Sequence, residues 1–266
     1  MEELEELVGT AGGKVVESHI QKRTRPDSAT YVGKGKAHEL AERLAATQAT
    51  ILICDDELKP SQQQNLSEIM EGRKVIDRTR LILDIFAQRA RSREGILQVE
   101  LAQMEYMLPR ITEKFGRFEQ QTGGIGSRGP GERKLEVDQR RIRDRITALK
   151  KDIEKIRGQR EQQRAVRRSL PVPQVAIVGY TNAGKSTLLN TLLTKFAGAP
   201  KAEEHKVYAD DKLFATLDPI TRRVRLPSGK IILFSDTVGL SASCPRSWSP
   251  PFAPRWKKSV MRTWCC

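Results

Sequence analysis

The 266-residue chain has no apolar run near the roughly 18 residues that would make a membrane-spanning helix, so none is expected. It also lacks the plan of a signal peptide. The start, Met1-Glu-Glu-Leu-Glu-Glu-Leu, is acidic where a leader carries basic and then continuous apolar residues. A cytosolic chain is expected. Cysteine is scarce, with four in all. Cys54 sits in an apolar run and reads as a buried thiol, while Cys244, Cys265 and Cys266 lie at the far end of the sequence. No Cys-x-x-C or Cys/His spacing is present, and His19, His38 and His205 stand singly, which argues against a zinc site or a disulfide framework. Aromatic residues make up only 5% and charged residues 30%, a balance that suits long solvated helices.

What is abundant is positive charge, and it is unevenly spread. The net charge is +14. Arg110 to Arg168 holds 18 Lys+Arg against 9 Asp+Glu, or +9, and Leu240 to Cys266 holds 5 basic residues and no acid, or +5, so the remainder nets to zero (14 − 9 − 5). A basic segment of this kind in cytosol points to a polyanion, nucleic acid above all.

The apolar pattern divides the chain. Residues 1–77 alternate short apolar runs with amphipathic stretches: Lys14 to Ile20 reads as a strand, Ala37 to Ala46 as a helix, Thr50 to Cys54 as a buried strand, Ser61 to Met70 as a helix and Lys74 to Ile76 as a strand. Such alternation predicts a small parallel α/β layer. Residues 78–168 change period. Leu97, Leu101, Met104, Leu108, Ile111 and Phe115 recur at heptad spacing, as do Leu135, Ile142, Ile146, Leu149, Ile153 and Ile156. Between the two seams, residues 116–131 are rich in glycine. An antiparallel, coiled-coil-like helical hairpin with a Gly-rich loop is expected, and Pro171 and Pro173 close it before a further domain at 172–240. The expected fold class is therefore α/β: a small N-terminal α/β layer, a helical hairpin, and an incomplete P-loop domain.

That last domain carries the chemistry. Gln174 to Val178 is an apolar strand, and it runs into Gly179-Tyr180-Thr181-Asn182-Ala183-Gly184-Lys185-Ser186, followed by a helical pattern. This is G-x-x-x-x-G-K-S in the strand–loop–helix setting it requires: glycines let backbone amides cradle phosphate oxygens, Lys185 reaches the β- and γ-phosphates, and the Ser186 hydroxyl ligates Mg²⁺. Two later segments match a nucleotide switch. Phe214-Ala215-Thr216-Leu217-Asp218 offers Thr216 as a second Mg²⁺ ligand, and Lys230 to Ser235 is a strand ending in Asp236-Thr237-Val238-Gly239. There Asp236 holds the metal's water shell and Gly239 senses the γ-phosphate. An ATPase of another P-loop class would end this strand in Asp-Glu.

These residues resemble an HflX-type GTPase, of the Obg–HflX branch of P-loop GTPases. The resemblance extends upstream through Tyr31-Val-Gly-Lys-Gly-Lys36, Asp77-Arg-Thr79, Gln98-Val-Glu-Leu-Ala-Gln103 and Gly123-Gly-Ile-Gly-Ser-Arg-Gly-Pro-Gly-Glu132, and covers roughly residues 1–239. It implies GTP as substrate and GDP as product, with Gly179–Ser186, Phe214–Asp218 and Asp236–Gly239 binding nucleotide and Ser186 and Thr216 on Mg²⁺. It also implies that the α/β layer and helical hairpin form an N-terminal domain that docks on the large (50S) ribosomal subunit, and a basic hairpin suits contact with ribosomal RNA; a monomer is expected. Arg133 departs from the family, which carries a small hydroxyl residue there. Leu240 occupies the place of the water-orienting Gln of Ras-type proteins, as an apolar residue does in the family. No catalytic side chain is assigned, and slow intrinsic hydrolysis is expected. The guanine-reading N/T-K-x-D and S-A-K/L segments are absent from the sequence.

Residues 241–266 read as an aberrant tail. Trp248, Trp256 and Trp264 are all the tryptophans of the chain, and they fall here with Cys244, Cys265, Cys266 and no acidic residue. Ser243 to Lys258 has a possible coding sequence that, read two bases on, gives L-P-T-E-L-V-A-A-F-R-A-T-L-E-E, a helix-like string. A frame shift is expected. Sequencing the coding DNA tests it: the shifted frame should contain that helix and, further on, an Asn/Thr-Lys-x-Asp. Absence of both would make the tail an authentic segment.

Overall fold

The computed structural model describes residues 2–116, 130–169, 172–196, 213–214 and 220–237, with side chains described outside 112–116, 130–135 and 163–169. The chain divides into two compact units, residues 1–88 with 99–155, and residues 89–98 with 156–266.

The first unit opens with α1 (Glu2–Thr10), α2 (Lys34–Ala46), β1 (Ile51–Cys54), α3 (Pro60–Ile69), β2 (Lys74–Asp77) and α4 (Arg78–Arg89). β1 and β2 pair in parallel, from Ile51 opposite Lys74 to Cys54 opposite Asp77. A parallel pair needs a crossover, and α3 supplies it. Pro60 suits the first helical position because its φ is already fixed. The Gln62 side chain reaches back to accept the Lys59 N–H at 3.0 Å. Just past the helix, Gly72 takes a φ of 80°, a conformation that disfavours any Cβ, and donates its N–H to the Ser67 carbonyl at 2.9 Å. Leu66 and Met70 then close with Ala37, Leu40 and Leu44 of α2 and with Cys54, Leu58 and Val75 into one apolar core. Burial pushes the Cys54 thiol up to about 12, so it stays protonated and inert.

The strand expected at Lys14 to Ile20 does not form. Residues 13–23 have neither helix nor strand, and Val16 and Ile20 are 59% and 71% exposed. β-Branched residues favour a strand only where a neighbouring strand supplies a ladder and a packing face. Among the described residues no strand pairs with this segment. Its Glu17 is held instead by Arg43 of α2 at 2.8 Å.

Asp77 ends β2 and starts α4. Its carboxylate is 0% exposed and accepts four hydrogen bonds: from the Arg80 N–H (2.8 Å), capping α4; from the Tyr106 hydroxyl (2.8 Å); from the Leu58 N–H (3.0 Å); and from Arg110 Nη2 (3.1 Å). Arg110 also donates to the carbonyls of Leu58 at 2.8 Å and Tyr106 at 2.9 Å and to Gln63 Oε1 at 2.8 Å, with its guanidinium 3.4 Å from the Tyr106 ring centre. Burial first, and the Asp77 charge next, raise the Tyr106 phenol far above its ordinary range, so it remains a donor. Behind this knot α4 buries Leu81, Ile82, Leu83, Ile85 and Phe86.

The long helices α5 (Arg93–Gly116) and α6 (Pro130–Ser169) carry the heptad seams. Leu101, Ile146, Leu149 and Ile153 are buried, as the spacing predicts. In the first unit Glu100 pairs with Arg145 at 2.7 Å and Glu105 with Lys150 at 2.8 Å. In the second, Glu94 at the start of α5 meets Arg160 of α6 at 2.6 Å. Pro109 lies inside α5 and has no N–H to donate to the Glu105 carbonyl one turn earlier. Residues 117–129 of the Gly-rich loop lie outside the described residues. Among the described residues, no helix is long and apolar enough to cross a membrane.

The second unit holds β3 (Gln174–Ile177), α7 (Lys185–Phe196), β4 (Ile220–Arg225) and β5 (Ile231–Asp236). The sheet order is β3-β5-β4, with β3 parallel and β4 antiparallel to β5. Leu189 and Leu193 of α7 pack on Val224, flanked by Ile177, Ile220 and Phe234.

Asp77→Ala is expected to destabilise the chain by about 3–5 kcal/mol, because Arg110 would stay half-buried with its counter-charge gone. Lys150→Gln, which breaks an exposed pair, should cost less than about 1 kcal/mol. Urea denaturation of the two variants checks the contrast.

Candidate functional site

The site forms where β3 and β5 end side by side. The parallel register places Ile177 opposite Asp236, so the last residues of both strands lie at the carboxyl edge of the sheet. In α/β sheets that edge is where ligands bind. From β3 the chain enters the loop Gly179 to Gly184, and α7 begins at Lys185. Two loop residues take left-handed backbone angles, Asn182 at φ 57° and Gly184 at φ 74°. Glycine adopts this freely, and asparagine does so more readily than most residues. The Gly184 carbonyl then accepts the Leu188 N–H at 2.8 Å as the helix gets under way. The amides of the first turn have no partner further back in the helix, so the loop presents them to a ligand with the positive end of the helix dipole behind.

Ser186 in this first turn donates its hydroxyl to Asp236 Oδ2 at 2.6 Å. Asp236 is 0% exposed. Lys185 donates its ammonium to the Tyr180 carbonyl within the same loop. Burial lowers the Lys185 pKa, and the nearby Asp236 carboxylate opposes that shift. Thr237, one residue past β5, donates its hydroxyl to the Ile177 carbonyl at 2.7 Å.

The structure therefore brings Gly179–Ser186, Asp236 and Thr237 together. Phe214 is buried at a φ of 56°. Ala215, Thr216, Leu217, Asp218, Val238 and Gly239 lie outside the described residues, and with them the second metal ligand expected at Thr216. A hydroxyl and a carboxylate in contact are hard oxygen donors, which fits Mg²⁺, a cation that takes few protein ligands and keeps several waters. When bound with nucleotide, Mg²⁺ would neutralise phosphate charge beside Ser186 and Asp236. The residue-type pattern did not reveal two acceptors, the carbonyls of Tyr180 and Ile177. Backbone atoms leave no signature in residue identity.

A parallel strand pair, a Gly-rich loop between strand and helix, and a buried aspartate bonded to the loop serine define a P-loop GTPase domain. Comparisons with known proteins agree along the length of the chain. Residues 1–87 match the family described as GTP-binding GTPase N-terminal, 89–167 GTP-binding GTPase Middle Region, and 174–261 the 50S ribosome-binding GTPase family. The chain is 50% identical over 245 residues to GTPase HflX of Caldanaerobacter subterraneus subsp. tengcongensis, covering 92% of this chain and 55% of that one. To GTPase HflX of Escherichia coli it is 46% identical over 245 residues, with the same 92% and 55% shares. The chain belongs to the HflX family of GTPases. It spans about half the length of these relatives. Among solved structures, the SsGBP–GDP complex is similar with a TM-score of 0.51 and 26% identity, covering 92% of this chain and 61% of that one.

Lys185→Ala is expected to weaken binding of a fluorescent GDP analogue by about 10- to 100-fold, the worth of charge-assisted hydrogen bonds to phosphate. The unfolding midpoint should barely move, since among the described residues the Lys185 hydrogen bond stays within its own loop.

Proposed function

We propose that this chain binds GTP and Mg²⁺ at the Gly179–Ser186 loop and docks on ribosomal RNA of the large (50S) subunit, as a cytosolic, ribosome-associated GTPase acting in translation, ribosome splitting or rescue, or biogenesis. The observation that carries the nucleotide reading is the contact of Ser186 with the buried Asp236, which sets a phosphate loop beside a metal-holding carboxylate. Similarity to a solved GDP complex supports the same reading. Gly179–Ser186, Phe214–Asp218, Asp236, Val238 and Gly239 then line the nucleotide, with Ser186 and Thr216 on the metal. The base meets no N/T-K-x-D in this sequence, so binding is weak and indifferent to base.

The docking reading is supported by α6. Its Glu-paired cations, Arg145, Lys150 and Arg160, face α5. Arg140, Arg143 and Lys151 are exposed to solvent, and a basic helix of this kind suits phosphate contact and recognition of RNA by shape. A second reading is a nucleotide-independent RNA-binding fragment with a non-functional GTPase domain. The exposed basic residues of α6 favour it.

Two measurements test these readings. Substituting Arg140, Arg143 and Lys151 together by Gln should reduce the slope of log K against log salt for 50S co-sedimentation by about 2–3, at roughly 0.7–0.9 per phosphate contact. An unchanged slope would remove α6 from the docking surface. Titration with GDP and ADP analogues, with and without Mg²⁺, decides the rest: weak, Mg²⁺-dependent binding of both supports the nucleotide site, and no binding of either leaves the RNA-binding fragment.

A further inference from the structure

We infer that Thr237 is a positioning residue, whose hydroxyl ties the end of β5 to the end of β3 and thereby holds the Asp236 carboxylate against Ser186; the inference rests on the nucleotide-site reading above. By the Asp-Thr-Val-Gly pattern alone, Thr237 belongs to the nucleotide contacts. The geometry gives its side chain a different task. The residue is 8% exposed, and its hydroxyl proton is committed to the Ile177 carbonyl at 2.7 Å. Ile177 and Asp236 form the last register pair of the β3–β5 ladder. The Thr237 hydroxyl thus adds a side-chain rung one residue beyond the backbone ladder, at the point where the strands would fray.

The residue it secures is the one that matters. Asp236 is the fully buried partner of Ser186 at 2.6 Å, and Ser186 stands in the first turn of α7. β3 feeds the phosphate loop and β5 delivers Asp236, so a link between their ends fixes the spacing of loop and carboxylate. On the neighbouring rung, Thr221 Oγ1 and Ser235 Oγ lie 2.9 Å apart, tying β4 to β5 by a hydroxyl pair in the same way. The strand ends are thus joined across the sheet by hydroxyl groups, and the Thr237 link is the one adjacent to the metal-binding pair. Loss of this rung acts on metal and leaves the phosphate loop's own amides in place.

The test uses the full chain with Thr237→Val, which keeps the shape and removes the hydroxyl, and Thr237→Ser, which keeps the hydroxyl. The readout is the Mg²⁺ concentration giving half-maximal retention of a fluorescent GDP analogue, alongside the analogue's affinity in EDTA. Thr237→Val is expected to raise the Mg²⁺ midpoint by about 5- to 10-fold, the net worth of one neutral hydrogen bond, with affinity in EDTA unchanged. Thr237→Ser should stay near the native midpoint. An unchanged midpoint in the valine variant, failure of serine to rescue, or an equal loss in EDTA would each overturn the proposal, the last by showing a direct nucleotide contact. Amide exchange of the nucleotide-free chain gives an independent check. Thr237→Val should speed exchange in 174–177 and 231–237, and unchanged exchange counts against the clamp. Faster exchange in a chain that binds no nucleotide would uphold the clamp while refuting the nucleotide site.

Discussion

A single buried carboxylate, Asp77, organises the first unit. It takes hydrogen bonds from the segment leading to α3, from the first turn of α4 and from two side chains of α5, all without access to water. An ionised group in such a place is stable only when its acceptor capacity is filled, and here four donors fill it. The α/β layer and the first long helix of the hairpin consequently meet through a fixed polar joint. Arg110 makes the joint specific, since its planar fork reaches Asp77, Leu58, Gln63 and Tyr106 from one position. A lysine could satisfy only part of that set.

How far the sequence disclosed this depends on whether a feature is carried by periodicity, by motif or by partnership. The crossover β1-α3-β2 was legible because apolar runs, Pro60 and Gly72 each mark a boundary. The heptad seams were legible for the same reason, and Leu149 and Ile153 lie buried where their spacing puts them. The stretch Lys14 to Ile20 has the composition of a strand, yet a strand exists only with a neighbour, and composition does not name one. Asp77-Arg-Thr79 was visible as a string. Its meaning was not, because Tyr106 and Arg110 lie some 30 residues away and no local pattern links them.

The phosphate loop was the most legible part of all. A sharp turn, a helix start, a cation and a hydroxyl must follow one another at fixed intervals, so spacing and chemistry coincide from Gly179 to Ser186. The partner Asp236 is 50 residues further on and was recognised by its own short pattern at a strand end. The roles of backbone acceptors stayed hidden until the strands were laid side by side.

The bond between Ser186 and Asp236 also fixes the sense in which the site is prepared. A serine oxygen that coordinates a cation offers a lone pair and turns its proton elsewhere, whereas here that proton is directed at the very carboxylate meant to sit nearby. The hydroxyl fills one acceptor position of Asp236, at Oδ2, on a carboxylate that is fully buried at the strand end. A helix start and a strand end 50 residues apart in sequence are thereby held to the length of one hydrogen bond.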